Sequence, residues 1–259
     1  MSRNEPLKGK IIEEYQQWSD ELIDIESVKI PRCLFHGIDS NCSVQIHGFC
    51  DASEYAYAAI VYLRVADAKC VRVSYLMAKT RVAPLKLISI PRLELLSAHG
   101  LAKLASYVMN ALSSQLKVDS IHLWSDSKIV LSWISKPSSN WKTFVRNRVQ
   151  DIHDCFHPNV WRHCPGAENP ADLHSRGMKL SELKNNKFYW HGPDWLNKDL
   201  SKWPINEVGI DNSDIRDEAF YKEAAKVQTH LVINPPCEDI LKRYSSYPKL
   251  IRLVAGILR

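Results

Sequence analysis

Residues 44–78 read VQIHGFCDASEYAYAAIVYLRVADAKCVRVSYLMA, and three segments of this stretch have the pattern of β-strands. Residues 44–50 and 69–78 alternate apolar and polar side chains, which is typical of half-buried strands. Residues 56–65 are almost continuously apolar and aromatic, which is typical of a more deeply buried strand. Because only short connections separate the three segments, they predict an antiparallel meander.

The chain after this meander alternates between helical and strand patterns. We predict a loop over KTRVAPLKLIS (79–89) and then a long amphipathic helix over residues 92–114, where apolar residues recur at helical spacing. The elements predicted further along are a strand at 120–125, a helix from Asp126 through KIVLSWI, a basic helix at 141–154, a strand at 159–164 and a short helix opened by Asn169 and Pro170. This order predicts an α/β fold in which a mixed five-stranded sheet is flanked by helices.

The sequence on either side of this pattern predicts helical extensions. Residues 11–25, IIEEYQQWSDELIDI, form a plausible amphipathic helix. After Gly177 the periodicity weakens, and we assign Trp190, Trp195 and Trp203 to packing of the C-terminal segment. The predicted organisation is a connecting region at 1–40, a main domain at 41–180, a Trp/Pro-rich extension and linker at 181–225, and the incomplete start of another helical segment at 226–259.

The composition excludes several classes of protein. With 45% hydrophobic and 24% charged residues, the 259-residue chain is expected to be globular rather than disordered or fibrous. No apolar run approaches the roughly 20 residues that span a bilayer, and the N-terminus lacks a signal core. We therefore expect an intracellular protein, cytoplasmic or nuclear, without a membrane partner. Seven cysteines without a CxxC pair indicate neither a disulfide framework nor a zinc knuckle, and a net charge of +5 is compatible with a polyanionic partner.

Four carboxylates lie at the ends or starts of these elements, and each has a local structural explanation. Asp51 leaves the first strand and Asp126 follows the fourth, where turn and capping residues are common. Glu94 lies in the first turn of the long helix, where the helix dipole favours a carboxylate. Asp172 follows Asn169 by three residues in a helix start that resembles a capping box.

These local explanations do not predict how the four carboxylates are arranged together. Two lie at the ends of strands expected to be neighbours, and two lie on helices expected to pack beside those ends. Four converging carboxylates would repel one another unless cations were present. Hard cations such as Mg²⁺ prefer carboxylate oxygens, and two such ions can clamp the attacking water and the leaving oxygen of a phosphodiester. The quartet is therefore suited to two-metal phosphodiester chemistry.

Several motifs together resemble the ribonuclease H domain of Pao-type (BEL) long-terminal-repeat retrotransposon polyproteins. Over roughly residues 30–205 they occur in family order as FCDASEYAYAAIVYLR, AKTRVAPLK, SIPRLELLSA, LWSDSKIVLSWI, KTFVRNRV and CPGAENPADLHSRG. The tail YSSYPKLIRLVAGILR is similar to the segment before the zinc-binding part of the integrase, although no His/Cys ligand set follows it. The resemblance implies a ribonuclease H-like fold and an endonuclease that hydrolyses the RNA strand of RNA/DNA hybrids during reverse transcription.

The resemblance also implies a role for each member of the quartet. Asp51 would bridge two Mg²⁺ or Mn²⁺ ions, and Glu94 and Asp126 would serve the ion that stabilises the leaving group. Asp172 would hold the ion that activates water. The implied partners are the RNA/DNA hybrid and the reverse transcriptase and integrase domains of the same polyprotein.

One position departs from the family pattern. Many ribonucleases H carry a histidine shortly before the last aspartate, which assists product release. In CPGAENPAD that position aligns with Ala167, and we interpret His163, in the preceding strand, as a packed or surface residue. The departure affects the prediction of efficient turnover more than the prediction of metal binding.

Substrate contacts are predicted from basic residues near these motifs. In the helix at 141–154, basic residues alternate with Trp141 and Phe144 and would track a phosphate backbone. The alternative is a solvated helix face whose apolar side packs into the core. Recognition is expected through the 2′-OH and the shape of the hybrid, without sequence preference. The predicted nucleic-acid contacts are Ser53, Lys79, Thr80, Arg81, Trp141, Lys142, Arg146 and Arg148.

Two other functions stay open from the sequence. An integrase or transposase on the same fold would also use strand-end aspartates and two metals, but its third carboxylate follows the second aspartate along the chain. Here Glu94 precedes Asp126, which favours ribonuclease H. A domesticated remnant that binds nucleic acid without cleaving it, or that is inert, is the second alternative. The presence of all four carboxylates favours the enzyme.

Overall fold

A five-stranded mixed sheet forms the centre of the computed structural model, which describes residues 9–30, 42–68, 70–204 and 218–225. The strands are β1 (Ser43–Ala52), β2 (Ala56–Ala66), β3 (Val71–Val82), β4 (Ser120–Ser125) and β5 (Trp161–His163). Their order across the sheet is β3-β2-β1-β4-β5. β1, β2 and β3 are antiparallel neighbours, whereas β4 and β5 run parallel to β1. The predicted meander and mixed sheet are confirmed.

The helices follow the predicted order along the chain. The α-helices of the described residues are α1 (Lys10–Glu21), α2 (Ile90–Leu112), α3 (Lys128–Ile134), α4 (Thr143–Cys155), α5 (Ala171–Arg176), α6 (Leu180–Lys184), α7 (Lys187–His191) and α8 (Glu218–Lys222). A 3-10 turn over Leu22–Ser27 continues α1. Pro91 lies in the first turn of α2, where its missing N–H costs no hydrogen bond, and Leu101, Ala105 and Val108 bury one face of this helix.

Two hydrophobic layers cover the two faces of the sheet. Successive side chains of a strand point to opposite faces, so Ile46 and Cys50 of β1 face one layer and Phe49 faces the other. The first layer contains the buried residues of α2, α3 and α4. The second layer contains Ala171 of α5 together with the buried side chains of Trp195 and Trp203. The C-terminal tryptophans therefore pack on the sheet, as predicted for these two residues.

One predicted loop is partly a strand. Lys79, Thr80 and Arg81 pair with Ala59, Ala58 and Tyr57 and extend β3 to Val82. The loop prediction was wrong at this point because Pro84 and the following residues, not Lys79, end the alternation. β2 offers hydrogen-bonding groups along its whole length, so β3 continues until its partner ends.

Two predicted local roles of carboxylates were also wrong. α2 begins at Ile90, so Glu94 lies in its second turn, beyond the strongest influence of the helix N-terminus. Asp126 does not cap α3. The cap is Ser127, whose hydroxyl accepts a hydrogen bond from Val130 N at 3.2 Å. The local explanations for Glu94 and Asp126 therefore fail, and their positions need another one.

Some predictions fall outside the described residues. They concern the turn-rich segment at 31–41, the acidic linker at 205–217 and the helical segment at 226–259. The chain divides into a unit of residues 1–225 and a second unit of residues 226–259, and the predicted domain boundaries stay predictions. No helix in the described ranges is long and apolar enough to cross a membrane. The unpaired thiols of these ranges belong to Cys42, Cys50, Cys70, Cys155 and Cys164.

Candidate active site

Two aspartates lie side by side at one edge of the sheet. The parallel register of β1 and β4 pairs Cys50 with Ser125. Asp51 and Asp126 are the next residues after this pair in β1 and β4, and neighbouring strands lie about 4.8 Å apart. The charge of Asp51 contributes to raising the pKa of Asp126, which shows that the two carboxylates are close in electrostatic terms.

Asp51 is buried beneath α5. Its side chain is on the same face of β1 as Phe49, and the residue is only 7% exposed. Burial raises its pKa, the charge of Asp172 raises it further, and a hydrogen bond donated by the Ser175 hydroxyl to Oδ2 acts in the opposite direction. Ser175 therefore helps to keep a buried carboxylate ionised.

Asp126 lies beneath the loop that precedes α5. Burial, and then the charge of Asp51, raise the pKa of Asp126 to about 6. Asn169 donates from Nδ2 to the Cys50 carbonyl at 2.9 Å and to Asp126 Oδ1 at 3.4 Å, so one amide links this loop to both strand ends. A Cβ atom on Gly166 would lie 3.2 Å from Asp126 Oδ2. The loop is thus close enough to limit access to Asp126.

Glu94 joins the site through α3. The Ser127 hydroxyl donates to Glu94 Oε2 at 2.7 Å. Ser127 Oγ also accepts a hydrogen bond from Val130 N and so caps α3. The residue that follows Asp126 thus holds Glu94 towards the ends of β1 and β4. This contact explains why a carboxylate in the second turn of α2 belongs to the site.

The Asp172 side chain is partly exposed and is hydrogen-bonded to Arg176. Arg176, one turn later on α5, donates from Nε to Asp172 Oδ1 at 2.5 Å, and the Asp172 side chain is 37% exposed. The predicted capping box is not formed, because Asn169 N donates to the Gly166 carbonyl and Asp172 N donates to the Asn169 carbonyl. Asp172 nevertheless contributes to the raised pKa values of Asp51 and Asp126, so the structure brings all three aspartates together.

The four carboxylates have the right chemistry for hard divalent cations, although they do not form a closed ligand cage. Within the described ranges, no group of three or more His, Cys, Asp or Glu side chains has the spacing of a metal site. Burial and mutual repulsion raise the pKa values of Asp51 and Asp126, which a divalent cation would reverse by favouring the ionised forms. Closing the set around an ion requires Asp172 to exchange its contact with Arg176.

A basic groove lies on the face of the sheet that α2 and α4 cover. Ala58 pairs with Asp51 on one side and with Thr80 on the other, and it lines a groove of about 970 Å³ between the β2–β3 edge, α2 and α4. Within the described residues, Nε of Arg148 is buried without a hydrogen-bond partner, and its guanidinium lies 3.6 Å from the Phe144 ring centroid. The cationic side chains that line the groove are those of Lys79, Arg81, Lys103 and Arg148.

Other predicted contacts lie elsewhere. Trp141 is 3% exposed and donates to the Trp133 carbonyl, so its ring is covered in this structure, and the predicted substrate contact stays a prediction. Lys142 bonds the Lys222 carbonyl, and Arg146 bonds the carbonyls of Trp141 and Ser139. Ser53 donates to the Ser175 carbonyl at 2.7 Å and shapes the β1–β2 turn.

Ala167 lies at the position where the family resemblance would place a histidine. It is exposed in the turn Gly166–Glu168, next to the glycine that approaches Asp126. His163 is half-buried on β5, where its backbone pairs with Ser125. The turn itself consists of Gly166, Ala167 and Glu168 and contains no histidine.

Several residues that shape the site were not predicted as site residues. Ser127, Asn169, Ser175 and Arg176 each bond one of the carboxylates. The Asn-Pro pair at 169–170 was interpreted only as a helix start. Arg176 lies four residues after Asp172, which is the helical spacing that brings side chains together, so this signal was present in the sequence.

A comparison with protein families gives a match to the part of the chain that contains three of the four carboxylates. Residues 1–127 match the model of a family described as the Pao retrotransposon-like RNaseH-like domain. This part of the chain is similar to that family. The matched part of the RNase H-like domain includes Asp51, Glu94 and Asp126, whereas Asp172 lies after it. The five-stranded mixed sheet flanked by helices is the ribonuclease H-like fold.

Several solved structures are similar to the domain. RNase H1 from the halophilic archaeon Halobacterium salinarum is 14% identical over 48% of this chain and 87% of its own, with a TM-score of 0.30. The N-terminal RNase H domain of a Mycobacterium tuberculosis protein is 15% identical over 49% and 86%, with a TM-score of 0.31. LC11-RNase H1 in complex with an RNA/DNA hybrid is 13% identical over 54% and 99%, with a TM-score of 0.32. A comparison with curated proteins gave no match.

Proposed function

We propose that this RNase H-like domain is an endonuclease that hydrolyses the RNA strand of RNA/DNA hybrids during retrotransposon reverse transcription. The observation that carries the proposal is the pairing of Asp51 and Asp126 at adjacent strand ends. A basic groove of the same domain lies between the β2–β3 edge, α2 and α4. Carboxylates would hold cations at the scissile phosphate, and the groove would hold the rest of the duplex. Reverse transcriptase and integrase domains of the same polyprotein are the proposed partners.

The four carboxylates would hold two Mg²⁺ or Mn²⁺ ions. When bound, such ions activate water and stabilise the leaving oxygen of a phosphodiester. Asp51 would serve both ions, since it lies beside Asp126 at the strand ends and the charge of Asp172 contributes to its raised pKa. Ser127 orients Glu94, Ser175 keeps Asp51 ionised, and Asn169 fixes Asp126 against the end of β1.

The groove supplies contacts for the backbone of the hybrid. Lys79 and Arg81 project from the last residues of β3, and the Arg148 side chain lines the same groove. Phosphate contacts give affinity without sequence information, and the 2′-OH groups and helix shape distinguish the hybrid from DNA. Lys142 and Arg146 are not part of this groove in the described structure.

Cleavage of a labelled RNA/DNA hybrid in Mg²⁺ tests the proposal. Asp126→Asn is expected to lower the cleavage rate by more than about 100-fold, the upper end of the loss caused by removing a partner of a metal ligand. The matched control is Asp24→Asn, an exposed aspartate near the end of the α1 segment. Unchanged cleavage in Asp126→Asn would refute the site. Binding without cleavage by the wild type would favour the remnant, and joining of DNA ends would favour the integrase-type alternative.

A further inference from the structure

Residues 220–225, the end of α8 and the three residues after it, lie against the start of α4. Trp141 and Ala224 form an antiparallel bridge. Lys142 N donates to the Glu223 carbonyl at 2.8 Å, and Ala225 N donates to the Asn140 carbonyl at 2.8 Å. These backbone bonds fix the segment, which we call the strap, on the surface where the sequence predicted a nucleic-acid contact.

Two side chains of the strap fill this surface. Phe220 is 5% exposed and meets the Trp141 ring edge-to-face, with 5.3 Å between ring centroids. Glu223 Oε1 lies 2.6 Å from Nη2 and 2.7 Å from Nε of Arg92, in a pair whose carboxylate side is 8% exposed. The strap thus packs the Phe220 ring against the Trp141 ring and pairs the Glu223 carboxylate with the Arg92 guanidinium.

The surface beneath the strap has the composition of a site for a nucleic-acid strand. Arg92 lies 4.7 Å from the Phe144 ring centroid, and Lys136 Nζ lies 6.0 Å from that of Trp141. Cationic side chains next to aromatic rings bind single strands through phosphate contacts and base stacking. The guanidinium of Arg148, on the other side of Phe144, lines the basic groove, so the covered surface continues from that groove.

We propose that the surface of Arg92, Lys136, Trp141 and Lys142 is a second contact site for a nucleic-acid strand, and that the strap occupies it in cis. Glu223 and the carbonyl of Lys222 take the positions of acceptors that phosphate oxygens would supply. Strand and strap therefore compete for the same cations. The inference rests on the proposed function, since it extends the same groove, but it concerns binding and not the chemistry of cleavage.

The double variant Phe220→Ala/Glu223→Gln in the full chain tests the competition. Limited proteolysis should cut the strap faster, and affinity for an RNA/DNA hybrid with a single-stranded overhang, measured without divalent ions, should rise. Exposing three cations should steepen the dependence of log K on log salt by about 2, given about 0.7 per single-strand phosphate contact. The matched control Tyr221→Ala/Glu182→Gln changes an exposed tyrosine of the same segment and an exposed glutamate, and should leave both readouts unchanged.

Adding Arg92→Gln and Lys142→Gln distinguishes competition from a general effect. In the released background this pair should abolish the gain in affinity, whereas in the wild type it should change affinity little because the strap already holds both cations. Release without a gain in affinity would overturn the inference while leaving hybrid cleavage, and hence the proposed function, intact. A gain in affinity without any hybrid cleavage would support the inference and refute the function. If proteolysis is unchanged in both Phe220→Ala/Glu223→Gln and Glu223→Lys, the strap is not held by these contacts and the inference fails.

Discussion

At the scale of single residues, the site contains buried carboxylates that are costly to ionise together. Asp126 has the largest described effect among them, since burial and the neighbouring Asp51 raise its pKa to about 6. The ionised pair therefore lowers the stability of the metal-free protein at neutral pH. Function and stability are in opposition at these two positions, as expected where charges are held in place for a ligand.

Replacing Asp126 with Asn should reveal this cost. Because the native pKa lies above the unfolded value of 3.8, the native state binds more protons between about pH 4 and 6, and stability falls as pH rises through that window. Asn does not titrate, so the free energy of unfolding of Asp126→Asn relative to wild type should increase by up to about 3 kcal/mol between pH 4 and pH 7. Urea unfolding in EDTA at both pH values measures it; a difference independent of pH would contradict the assignment.

Arg176 competes with cations for Asp172. The exposed contact between Arg176 Nε and Asp172 Oδ1 must open before that oxygen can bind a metal ion. Arg176→Gln is therefore expected to lower the Mg²⁺ concentration for half-maximal cleavage by roughly two- to fivefold, the range of an exposed ion pair. Titrations of cleavage rate with Mg²⁺ check this, with Lys179→Gln as the control. A higher Mg²⁺ requirement would mean instead that Arg176 orients Asp172.

At the scale of elements, the site depends on how closely α2 approaches β1. A Cβ atom on Gly48 would lie 2.5 Å from Leu101 Cδ1 and 3.0 Å from Leu123 Cδ2. Gly48 therefore allows α2, which carries Glu94, to pack directly on the strand that carries Asp51. The close packing at Gly48 thus helps to set the position of Glu94 relative to Asp51.

Gly48→Ala should separate these two elements. We expect a loss of about 1–3 kcal/mol in the free energy of unfolding, the usual cost of overpacking a core. Gly100→Ala is the matched control, because a Cβ there meets nothing within 4 Å and alanine favours a helix over glycine by roughly 0.5–1 kcal/mol. Denaturant unfolding of both variants measures the effect, and a Gly48→Ala protein as stable as wild type would show that α2 moves away freely.

The elements themselves could be predicted from the sequence, whereas many contacts among them could not. Strand and helix periodicity is local, so the order of elements and the positions of Asp51 and Asp126 at strand ends follow from it. Ser175 and Asn169 bond residues more than 40 positions away, and these bonds depend on the docking of α5. The burial of Trp141 depends on Phe220, and nothing within the helix at 141–154 indicates that partner.

At the scale of the whole molecule, the second hydrophobic layer joins the C-terminal segment to the sheet. Arg64 of β2, 5% exposed, donates to the carbonyls of Leu196 and Lys198, and Tyr62 donates to the carbonyl of Tyr189. Trp195 also donates from Nε1 to Glu168 Oε2 in the turn that covers Asp126. The segment after α5 therefore supports both the sheet and the active-site turn.

The ring of Trp195 lies 4.7 Å from that of Trp124 and 5.9 Å from that of Trp203, which gives the packed segment an optical consequence. Indole rings held this close in fixed orientations couple their electronic transitions, so docking of residues 194–203 should produce a strong near-ultraviolet circular dichroism signal. Trp195→Phe should remove most of it, and an equal signal in that variant would contradict the coupling. The near-ultraviolet signal thus measures, without label or substrate, whether residues 194–203 are packed against the turn Gly166–Glu168.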